Sequence, residues 1–246
     1  MTDKSITVGW LYPELMNVYG DRGNIIILEK RANWRSIKTE VKHLDPGFLE
    51  KELETCDLLM MGGAQDRQQT IVNEDLKRIK KSLSSKIEKG TPGLYVCGGF
   101  QFLGKYYKEA DGTKVAGLSI FDLYTENPGE NSMRLIGNMA IQPLIDGLNQ
   151  IIIGFENNGG RTYLGKGIKP FGKVLKGFGN SEDGFEGAVY KNSIGTYMHG
   201  PILPKNPELA DYLIAKAVDA DELEPLDDSL EDLARSSIAK SLQVEI

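Results

Sequence analysis

The first hundred residues alternate short apolar runs with stretches of helical periodicity. Continuous apolar and β-branched runs predict strands at Ser5–Leu11, Thr39–Leu44, Asp57–Met61 and Gly93–Val96. Apolar positions that recur every three or four residues predict helices at Gly23–Lys38, Ile71–Lys89 and Gly98–Tyr107. Strand–helix alternation of this kind predicts an α/β fold, with a parallel sheet that helices cover on both faces.

The second half of the chain has a different pattern. Residues from about 113 to 200 are rich in glycine and contain short strand-like runs at Asn138–Gln142, Ile151–Phe155, Ala188–Tyr190 and Ser193–Met198. Helical periodicity returns at about Pro207–Val218 and Leu230–Ser241. The acidic stretch Asp219–Glu231 is expected to be a solvated connection. We therefore predict one domain over residues 1–246 with a mixed, mostly parallel central sheet and a C-terminal helical extension at about 220–246.

Composition narrows the range of functions. The chain has 29 Lys and Arg against 35 Asp and Glu, a net charge of −6, which argues against general nucleic-acid binding. No apolar run approaches the roughly 18 residues of a membrane span, and the N-terminus lacks the apolar core of a signal peptide, so a cytoplasmic protein is expected. With two cysteines and two histidines, neither a disulfide framework nor a usual zinc site is expected.

Cys97 is the candidate nucleophile. In GLYVCGGFQFLG it stands where a buried strand stops and two glycines lead into a predicted helix, the pattern of a nucleophile elbow. A free thiol with a pKa of about 8.5 is only about 3% ionised at pH 7. Lowering that pKa to about 6 takes roughly 3.4 kcal/mol, more than the ~2 kcal/mol that a helix N-terminus supplies at best. A neighbouring histidine is therefore expected to take the proton. Cys56 lacks such a turn and is expected to be structural.

His199 is the candidate base. It follows the strand-like run Ser193–Met198 and precedes Gly200 and Pro201, so it is expected at the sheet edge where the sites of open α/β sheets lie. His43 lies in a weak strand and is expected to be structural or exposed.

Three motifs together resemble the class I glutamine amidotransferases: LYVCGGFQ, MGGAQD and YMHGP. FENNGGRTY and NVYGDRGNI are similar to the cobyric-acid-synthase-like branch of that class, and within it to the glutaminase subunits of lipid II isoglutaminyl synthases. The resemblance extends from about residue 10 to about residue 210. It implies the flavodoxin-like fold of the class and an enzyme that hydrolyses L-glutamine to glutamate and ammonia through a thioester.

The resemblance also implies roles for individual residues. Cys97 attacks the side-chain amide, His199 activates Cys97, and the backbone N–H groups of Gly63 and Gly98 hold the oxyanion. For substrate binding, Arg134 is the best candidate to grip the α-carboxylate, and the likeness favours that role. Gln101, one helical turn after Cys97, is expected to face the pocket, and Asn157, Gly159 and Gly160 are expected to present an amide group or bare backbone to the substrate. Arg161 is expected to anchor the loop that carries the last three. Asp21 is expected only to cap the helix that follows it.

The chain departs from the class at one position. Many members carry a glutamate two residues after the histidine, which orients the imidazole, and here that position is Pro201. Either the enzyme works as a Cys–His dyad or a partner supplies the third group. No Walker motif occurs, so no cofactor is expected on this chain, and ATP and Mg²⁺ are expected on a partner. The resemblance implies that this partner is a MurT-like Mur ligase, in a heterodimer that amidates D-glutamate of the lipid-linked acceptor lipid II.

Two other functions remain open. A stand-alone γ-glutamyl hydrolase or cysteine peptidase of the same superfold needs a self-contained triad, and the missing acid at Pro201 counts against it. A binding module on an inactive amidotransferase scaffold has no need of Cys97 and His199, which are both present. The sequence therefore favours a glutaminase subunit.

Overall fold

The computed structural model describes residues 4–17, 20–63 and 66–245, with the backbone alone for residues 66–70. Along these residues the elements are β1 (Ser5–Leu11), α1 (Arg22–Trp34), β2 (Lys38–Leu44), α2 (Glu50–Glu54), β3 (Leu58–Met61), α3 (Asp66–Glu88), β4 (Gly93–Val96), α4 (Gly98–Leu103), β5 (Tyr106–Lys108), β6 (Lys114–Ala116), β7 (Leu123–Glu126), β8 (Leu135–Pro143), β9 (Ile152–Asn158), β10 (Arg161–Leu164), β11 (Gly172–Lys176), β12 (Phe185–Glu186), β13 (Ala188–Tyr190), β14 (Ser193–Thr196), β15 (Met198–His199), α5 (Pro207–Ala217) and α6 (Ser229–Leu242). A 3₁₀ turn at Leu203–Lys205 precedes α5. No helix in these ranges is both long and apolar enough to cross a membrane.

Within the described chain, six strands form the central sheet in the order β13-β14-β4-β3-β1-β2. The pairs from β14 to β2 are parallel, and β13 joins the edge antiparallel to β14. Every residue of β3 and β4 is buried, as expected for continuous apolar strands that are covered on both faces. The mixed, mostly parallel sheet predicted from the sequence is confirmed.

Helices cover both faces of this sheet, because alternate residues of a strand point to opposite sides. Leu58 and Met60 of β3 belong to a buried cluster with residues of α1 and α5. Leu59 and Met61 belong to a second cluster with α3. The fully buried residues of α3 recur at the three- and four-residue spacing that predicts it, at Val72, Leu76, Ile79, Leu83 and Ile87. The prediction of helices on both faces is confirmed.

The glycine-rich half builds two further sheets among the described residues, in the orders β10-β7-β5-β6 and β12-β11-β8-β9-β15. Here α4 ends well before the predicted boundary at Tyr107, because Tyr106 already belongs to β5. Tyr106 stacks on Tyr124, which stacks on Tyr163, with ring centroids 5.2 Å apart in each pair. Cross-strand aromatic pairs of this kind stabilise a sheet, and a local helical pattern cannot reveal them.

The strand predicted over Ser193–Met198 is divided between two sheets. β14 ends at Thr196 in the central sheet, and β15 pairs with β9 in another sheet. Tyr197 joins them, and its N–H donates to the carboxylate of Glu186 (2.7 Å). Thr196 Oγ1 donates to the same carboxylate oxygen (3.0 Å). The Glu186 carboxylate therefore satisfies polar groups that a continuous strand would have paired with a neighbour.

The acidic segment is partly tied to the core rather than solvated. Arg31 of α1 is fully buried and donates to Asp211 of α5 (2.6 Å) and to Asp228 of the acidic segment (2.5 Å). Arg35 pairs with Asp211 (2.6 Å) and donates to the carbonyl of Glu224 (2.5 Å). The predicted solvated connection describes most of the segment, which is largely exposed, but it is wrong for Asp228, because a buried guanidinium needs carboxylates to offset its desolvation.

Replacing Arg31 with Met is expected to lower the free energy of unfolding by about 3 kcal/mol, because Asp211 and Asp228 lose the buried cation that offsets their charge. Urea unfolding followed by circular dichroism measures the change. Lys77→Met is the control, because it breaks an exposed pair with Glu74 (2.7 Å) and is expected to cost less than about 1 kcal/mol. Equal losses in the two variants would contradict a stabilising role for the buried network.

Candidate active site

Cys97 occupies the sharp turn between β4 and α4. Its φ of 51° and ψ of −106° are a conformation that a residue with a Cβ rarely adopts. The Cys97 N–H donates to the Thr196 carbonyl (2.8 Å), and the Gln101 N–H donates to the Cys97 carbonyl (3.0 Å). Strain of this kind costs about 1–3 kcal/mol and persists where the surrounding fold fixes the turn, as it does at nucleophile elbows. The predicted strand–turn–helix geometry is present.

Gly99 lets this turn approach the end of β3. A Cβ on Gly99 would lie 2.8 Å from the carbonyl oxygen of Met61 and 3.0 Å from that of Gly62, which is too close for a carbon atom. The Gly99 N–H instead donates to the Gly62 carbonyl (3.2 Å). The close approach brings Gly63, a predicted oxyanion donor, beside Cys97. The other predicted donor, Gly98, is buried at the first position of α4.

His199 reaches the same edge of the sheet from β15. Its side chain is buried, and the preceding strand β14 runs parallel to β4 with Thr196 opposite Val96. A Cβ built on Gly63 would lie 3.3 Å from Cys97 Cβ and 3.6 Å from His199 Cε1. The candidate nucleophile and the candidate base, about a hundred residues apart in the chain, therefore flank one point at the sheet edge.

Burial lowers the pKa of His199 from 6.5 to about 4, and the positive charge of Arg134 acts in the same direction. The imidazole is therefore neutral at pH 7, the state in which it can accept a proton from a thiol. Once protonated, the buried ring needs an adjacent anion, and the Cys97 thiolate formed by that same transfer would supply it.

The predicted substrate-binding residues Arg134, Asn157 and Gly159 lie together around the paired strands β8 and β9. Arg134 Nε donates to Asn157 Oδ1, and its Nη2 donates to the Asn157 carbonyl, each at 3.0 Å. Its Nη1 lies 3.1 Å from the place that a Cβ on Gly159 would occupy. Because Gly159 has no side chain, this edge of the exposed guanidinium is left uncovered.

Gln101 and Gly160 are neighbours in the same region. A Cβ on Gly160 would lie 2.6 Å from Thr125 Cγ2 and 3.4 Å from Gln101 Nε2. Gln101 Nε2 donates to the hydroxyl of Tyr197 (3.1 Å) inside the protein. The structure thus brings Gln101 near the other predicted residues, but its amide nitrogen already binds the segment that leads to His199.

Arg161 anchors the loop between β9 and β10, as predicted. Its Nη1 donates to the Gly159 carbonyl (3.1 Å), and its Nη2 donates to the Met133 carbonyl (2.9 Å). These two bonds tie the loop at Gly159 to Met133, the residue before Arg134. Arg161 therefore holds the main chain on both sides of the Arg134 guanidinium.

Asp21 is a site residue that the sequence did not reveal. The predicted helix cap is wrong, because the side chain makes no capping hydrogen bond. Its carboxylate is fully buried, and Oδ2 accepts a hydrogen bond from the Gly63 N–H (2.9 Å), 42 residues away in the chain. Burial raises the pKa of Asp21 from 3.8 to about 6, and the Gly63 N–H opposes that shift. A carboxylate one residue before a helix is typical of a cap, so local sequence gave no signal of this contact.

Two buried glutamates hold the chain that carries His199. Glu186 supports the break at Tyr197, and burial raises its pKa to about 8. Glu156 lies opposite Met198 in the β9–β15 pair and accepts hydrogen bonds from the N–H groups of residues 178 and 179 (2.7 and 3.1 Å). Burial raises the pKa of Glu156 to about 7. Glu156 belongs to the motif FENNGGRTY, but its sequence context alone does not distinguish a supporting role from a binding one.

Cys56 and His43 take no part in this arrangement, as predicted. Cys56 is buried, its Sγ donates to the Glu52 carbonyl (3.2 Å), and burial raises its pKa to about 11. His43 is exposed and packs edge-on against Trp10, with ring centroids 5.2 Å apart. Across the residues whose side chains are described, no three His, Cys, Asp or Glu side chains are grouped so as to hold a metal ion.

Pro201 packs its ring against Gly23 at the start of α1. The next acid along the chain, Glu208, accepts hydrogen bonds from the N–H groups of Asn149 and Gln150 (3.0 and 2.8 Å). Glu208 therefore holds a distant loop, and the loop after His199 offers no acid in the position where many class I amidotransferases carry one.

Comparison with known proteins identifies the family. The sequence profile of the CobB/CobQ-like glutamine amidotransferase domain matches residues 7–207. The chain belongs to this family. The amidotransferase is 45% identical over 216 residues to the lipid II isoglutaminyl synthase (glutamine-hydrolyzing) subunit GatD of Staphylococcus aureus (strain N315), covering 86% of this chain and 84% of that one. It is 39% identical to the subunit of the same name from Streptococcus pneumoniae (strain ATCC BAA-255 / R6), covering 87% and 80% of the two chains.

A solved structure described as a glutamine amidotransferase has the same fold. It superposes on this amidotransferase with a TM-score of 0.59 at 17% identity, covering 85% of this chain and 98% of that one. The predicted flavodoxin-like fold of class I glutamine amidotransferases is thereby confirmed. The family and its two relatives also confirm the predicted enzyme class, glutamine hydrolysis for amido transfer.

Removing the guanidinium of Arg134 tests the electrostatics of this site. Arg134→Met is expected to raise the pKa of His199 above about 4, because a positive neighbour disfavours the imidazolium, and to leave it below 6.5, because burial is the larger cause. NMR titration in a His43→Gln background, where His199 is the single histidine, measures the shift. Arg78→Met, which removes a guanidinium paired with Asp75 on α3, is the control and should not move it. A lower or unchanged pKa in Arg134→Met would contradict this account.

Proposed function

We propose that this amidotransferase is the glutaminase subunit of a lipid II isoglutaminyl synthase. It would hydrolyse L-glutamine and pass the ammonia to a ligase subunit that amidates D-glutamate of the lipid II stem peptide. The observation that carries the proposal is that the strained turn at Cys97 and the buried side chain of His199 both lie beside Gly63. The likeness to the two GatD subunits supports the choice of acceptor.

The proposed chemistry begins with transfer of the Cys97 thiol proton to His199. The thiolate then attacks the side-chain amide carbon of glutamine, and the carbonyl electron pair moves onto oxygen. As this tetrahedral intermediate collapses, His199 returns the proton to the leaving nitrogen, ammonia departs and a thioester remains. Water hydrolyses the thioester to glutamate and restores the thiol. α4 has only six residues, so its dipole contributes little, and His199 carries most of the activation.

The proposed substrate contacts follow from the charges on glutamine. The Nη1 edge of Arg134 beside Gly159 would take the α-carboxylate, since Asn157 already fixes the opposite edge of the guanidinium. The bare backbone at Gly159 and Gly160 would let the α-substituents approach the main chain. The N–H groups of Gly63 and Gly98 would receive the oxyanion, and each such donor is typically worth about 2.7–4 kcal/mol of barrier.

The third catalytic group is proposed to come from a partner. Pro201 stands where an acid would orient His199, and Glu208 is held elsewhere, so we propose that the ligase subunit donates the third group. A MurT-like Mur ligase would also hold ATP and Mg²⁺ and activate the acceptor carboxylate, since no Walker motif occurs in this sequence. Donation by the partner would couple glutamine hydrolysis to assembly of a cytoplasmic heterodimer.

Ammonia release from glutamine tests the function. We expect the complex with the ligase subunit to release ammonia faster than the isolated chain, and Cys97→Ala to abolish release in both while it keeps the fold and the complex. Glutamate dehydrogenase coupling measures ammonia, and circular dichroism with gel filtration checks fold and assembly. Cys56→Ala is the matched control and should retain activity, because that thiol is buried away from the site. Equal rates with and without the partner would refute donation of the third group. Release by Cys97→Ala would refute the nucleophile.

Arg134→Ala tests substrate binding. The KM for glutamine is expected to rise roughly 10- to 100-fold, which corresponds to the loss of a charged hydrogen bond. Arg134→Lys should recover only part of the affinity, because an ammonium cannot form the bidentate contact. Arg78→Ala, on α3, is the control for loss of a positive charge. Glutamine kinetics that do not change in Arg134→Ala would remove Arg134 from the site.

A further inference from the structure

The carboxylate of Asp21 accepts a hydrogen bond from the Gly63 N–H, a donor that the proposed reaction needs for the oxyanion. Oδ2 takes the Gly63 N–H at 2.9 Å, and the side chain is fully buried. Among the described residues, Oδ1 has no hydrogen-bond partner and no cation forms an ion pair with Asp21. A carboxylate is costly to bury without a cation, so its presence here needs an explanation other than stability.

Backbone packing fixes the carboxylate at this place. A Cβ on Gly62 would clash with the Met16 carbonyl and would lie 2.5 Å from Asp21 Oδ2. Asn17 Oδ1 accepts a hydrogen bond from the Arg22 N–H (2.9 Å), which ties the residues on either side of Asp21 together. The close approach of Met16 to Gly62 therefore brings the Asp21 side chain within reach of the Gly63 N–H.

The contact conflicts with the role proposed for Gly63. One N–H has one hydrogen, and an oxygen 2.9 Å from it stands where the oxyanion of the tetrahedral intermediate would bind. Two anionic oxygens on one donor repel each other strongly in a buried site. A Cβ built on Gly63 would also lie in contact range of Cys97 Cβ and His199 Cε1, so the residue that carries this donor is beside the reacting groups.

We propose that Asp21 is an internal occupant of the oxyanion hole, which keeps the resting chain slow until its carboxylate gives up the Gly63 N–H. The proposal rests on the proposed glutaminase function, because only an acyl-transfer reaction needs this donor. Asn17 and Arg22 border an open cavity of about 700 Å³, so there is free space next to residues that are close to Asp21 in the chain. Release of the carboxylate completes the site without any change at Cys97 or His199.

Two alkylating probes separate the oxyanion hole from the reactivity of the sulfur. The chloroketone analogue of glutamine forms a C–S bond with Cys97 as chloride leaves, and its ketone oxygen needs the hole. Iodoacetamide alkylates the same sulfur with loss of iodide and makes no such demand. In the isolated chain, Asp21→Ala is expected to raise the second-order rate of the chloroketone about tenfold or more, as freeing one oxyanion donor should. The iodoacetamide rate should stay within about twofold of wild type, since the nucleophile is unaltered.

Two further variants test whether the change in rate is specific to the Asp21 carboxylate. Glu29→Gln, an acid on α1 that borders the same cavity, should change neither rate. Asp21→Asn keeps the side-chain volume and an oxygen that can accept from the Gly63 N–H, but it removes the charge that repels the oxyanion. It should therefore raise the ratio of chloroketone to iodoacetamide rates, by less than Asp21→Ala does. If Asp21→Ala disturbs the fold, the ratio measured for Asp21→Asn tests the proposal instead. The kcat for glutamine should rise with the same variants, while KM stays near the wild-type value.

An unchanged or lower ratio in the folded Asp21 variants overturns the proposal, and so does a kcat below that of wild type. Failure of the proposed function has a different signature. In that case the wild-type chain, alone and with its ligase partner, releases no more ammonia than Cys97→Ala, and the chloroketone labels neither wild type nor the Asp21 variants.

Discussion

β4 is the strand on which the candidate site depends, because it pairs in parallel with β3 on one side and with β14 on the other. Parallel strands end at the same edge of a sheet, so the residues that follow these three strands become neighbours. Tyr95 lies opposite Met61, and Val96 lies opposite Thr196. A slip of one residue in either pairing would turn the buried side chains of that strand to the opposite face of the sheet. The same burial that fixes the register therefore fixes where Cys97 meets its neighbours.

Sequence predicts the features of this molecule that depend on local pattern. The elbow at Cys97 follows from a buried strand, two glycines and helical spacing, and α3 follows from its apolar stripe. The features it misses depend on residues far apart in the chain. The break at Tyr197 needs the Glu186 carboxylate, and β5 needs the tyrosine stack that spans three strands. The contact of Asp21 with Gly63 exists only because β1 and β3 are adjacent, which no single stretch of sequence shows.

The buried ionisable side chains of this protein find their partners in two different ways. Arg31 meets two carboxylates and forms part of an ion-pair network. Asp21 and Glu186 instead accept hydrogen bonds from irregular main chain, and burial raises their pKa to about 6 and about 8. Because the folded pKa exceeds the unfolded value, the stability that each carboxyl contributes is fully present below about pH 4, and it is lost as pH rises through the folded pKa. At pH 7 Asp21 is above its folded pKa, so stability does not explain its burial, and the position of Gly63 is what it determines. Glu186 is still below its folded pKa at pH 7, and its hydrogen bonds hold the break at Tyr197.

Two glycines allow close contacts between the residues around the start of α1 and the candidate site. Gly62 admits Met16 and Asp21 against the end of β3, and Gly23 admits the ring of Pro201 after His199. At the position where many class I amidotransferases carry an acid, this chain thus has a proline ring that packs against α1. The residues around the start of α1 therefore touch both the loop after His199, through Gly23, and the end of β3, through the Asp21 carboxylate that holds Gly63.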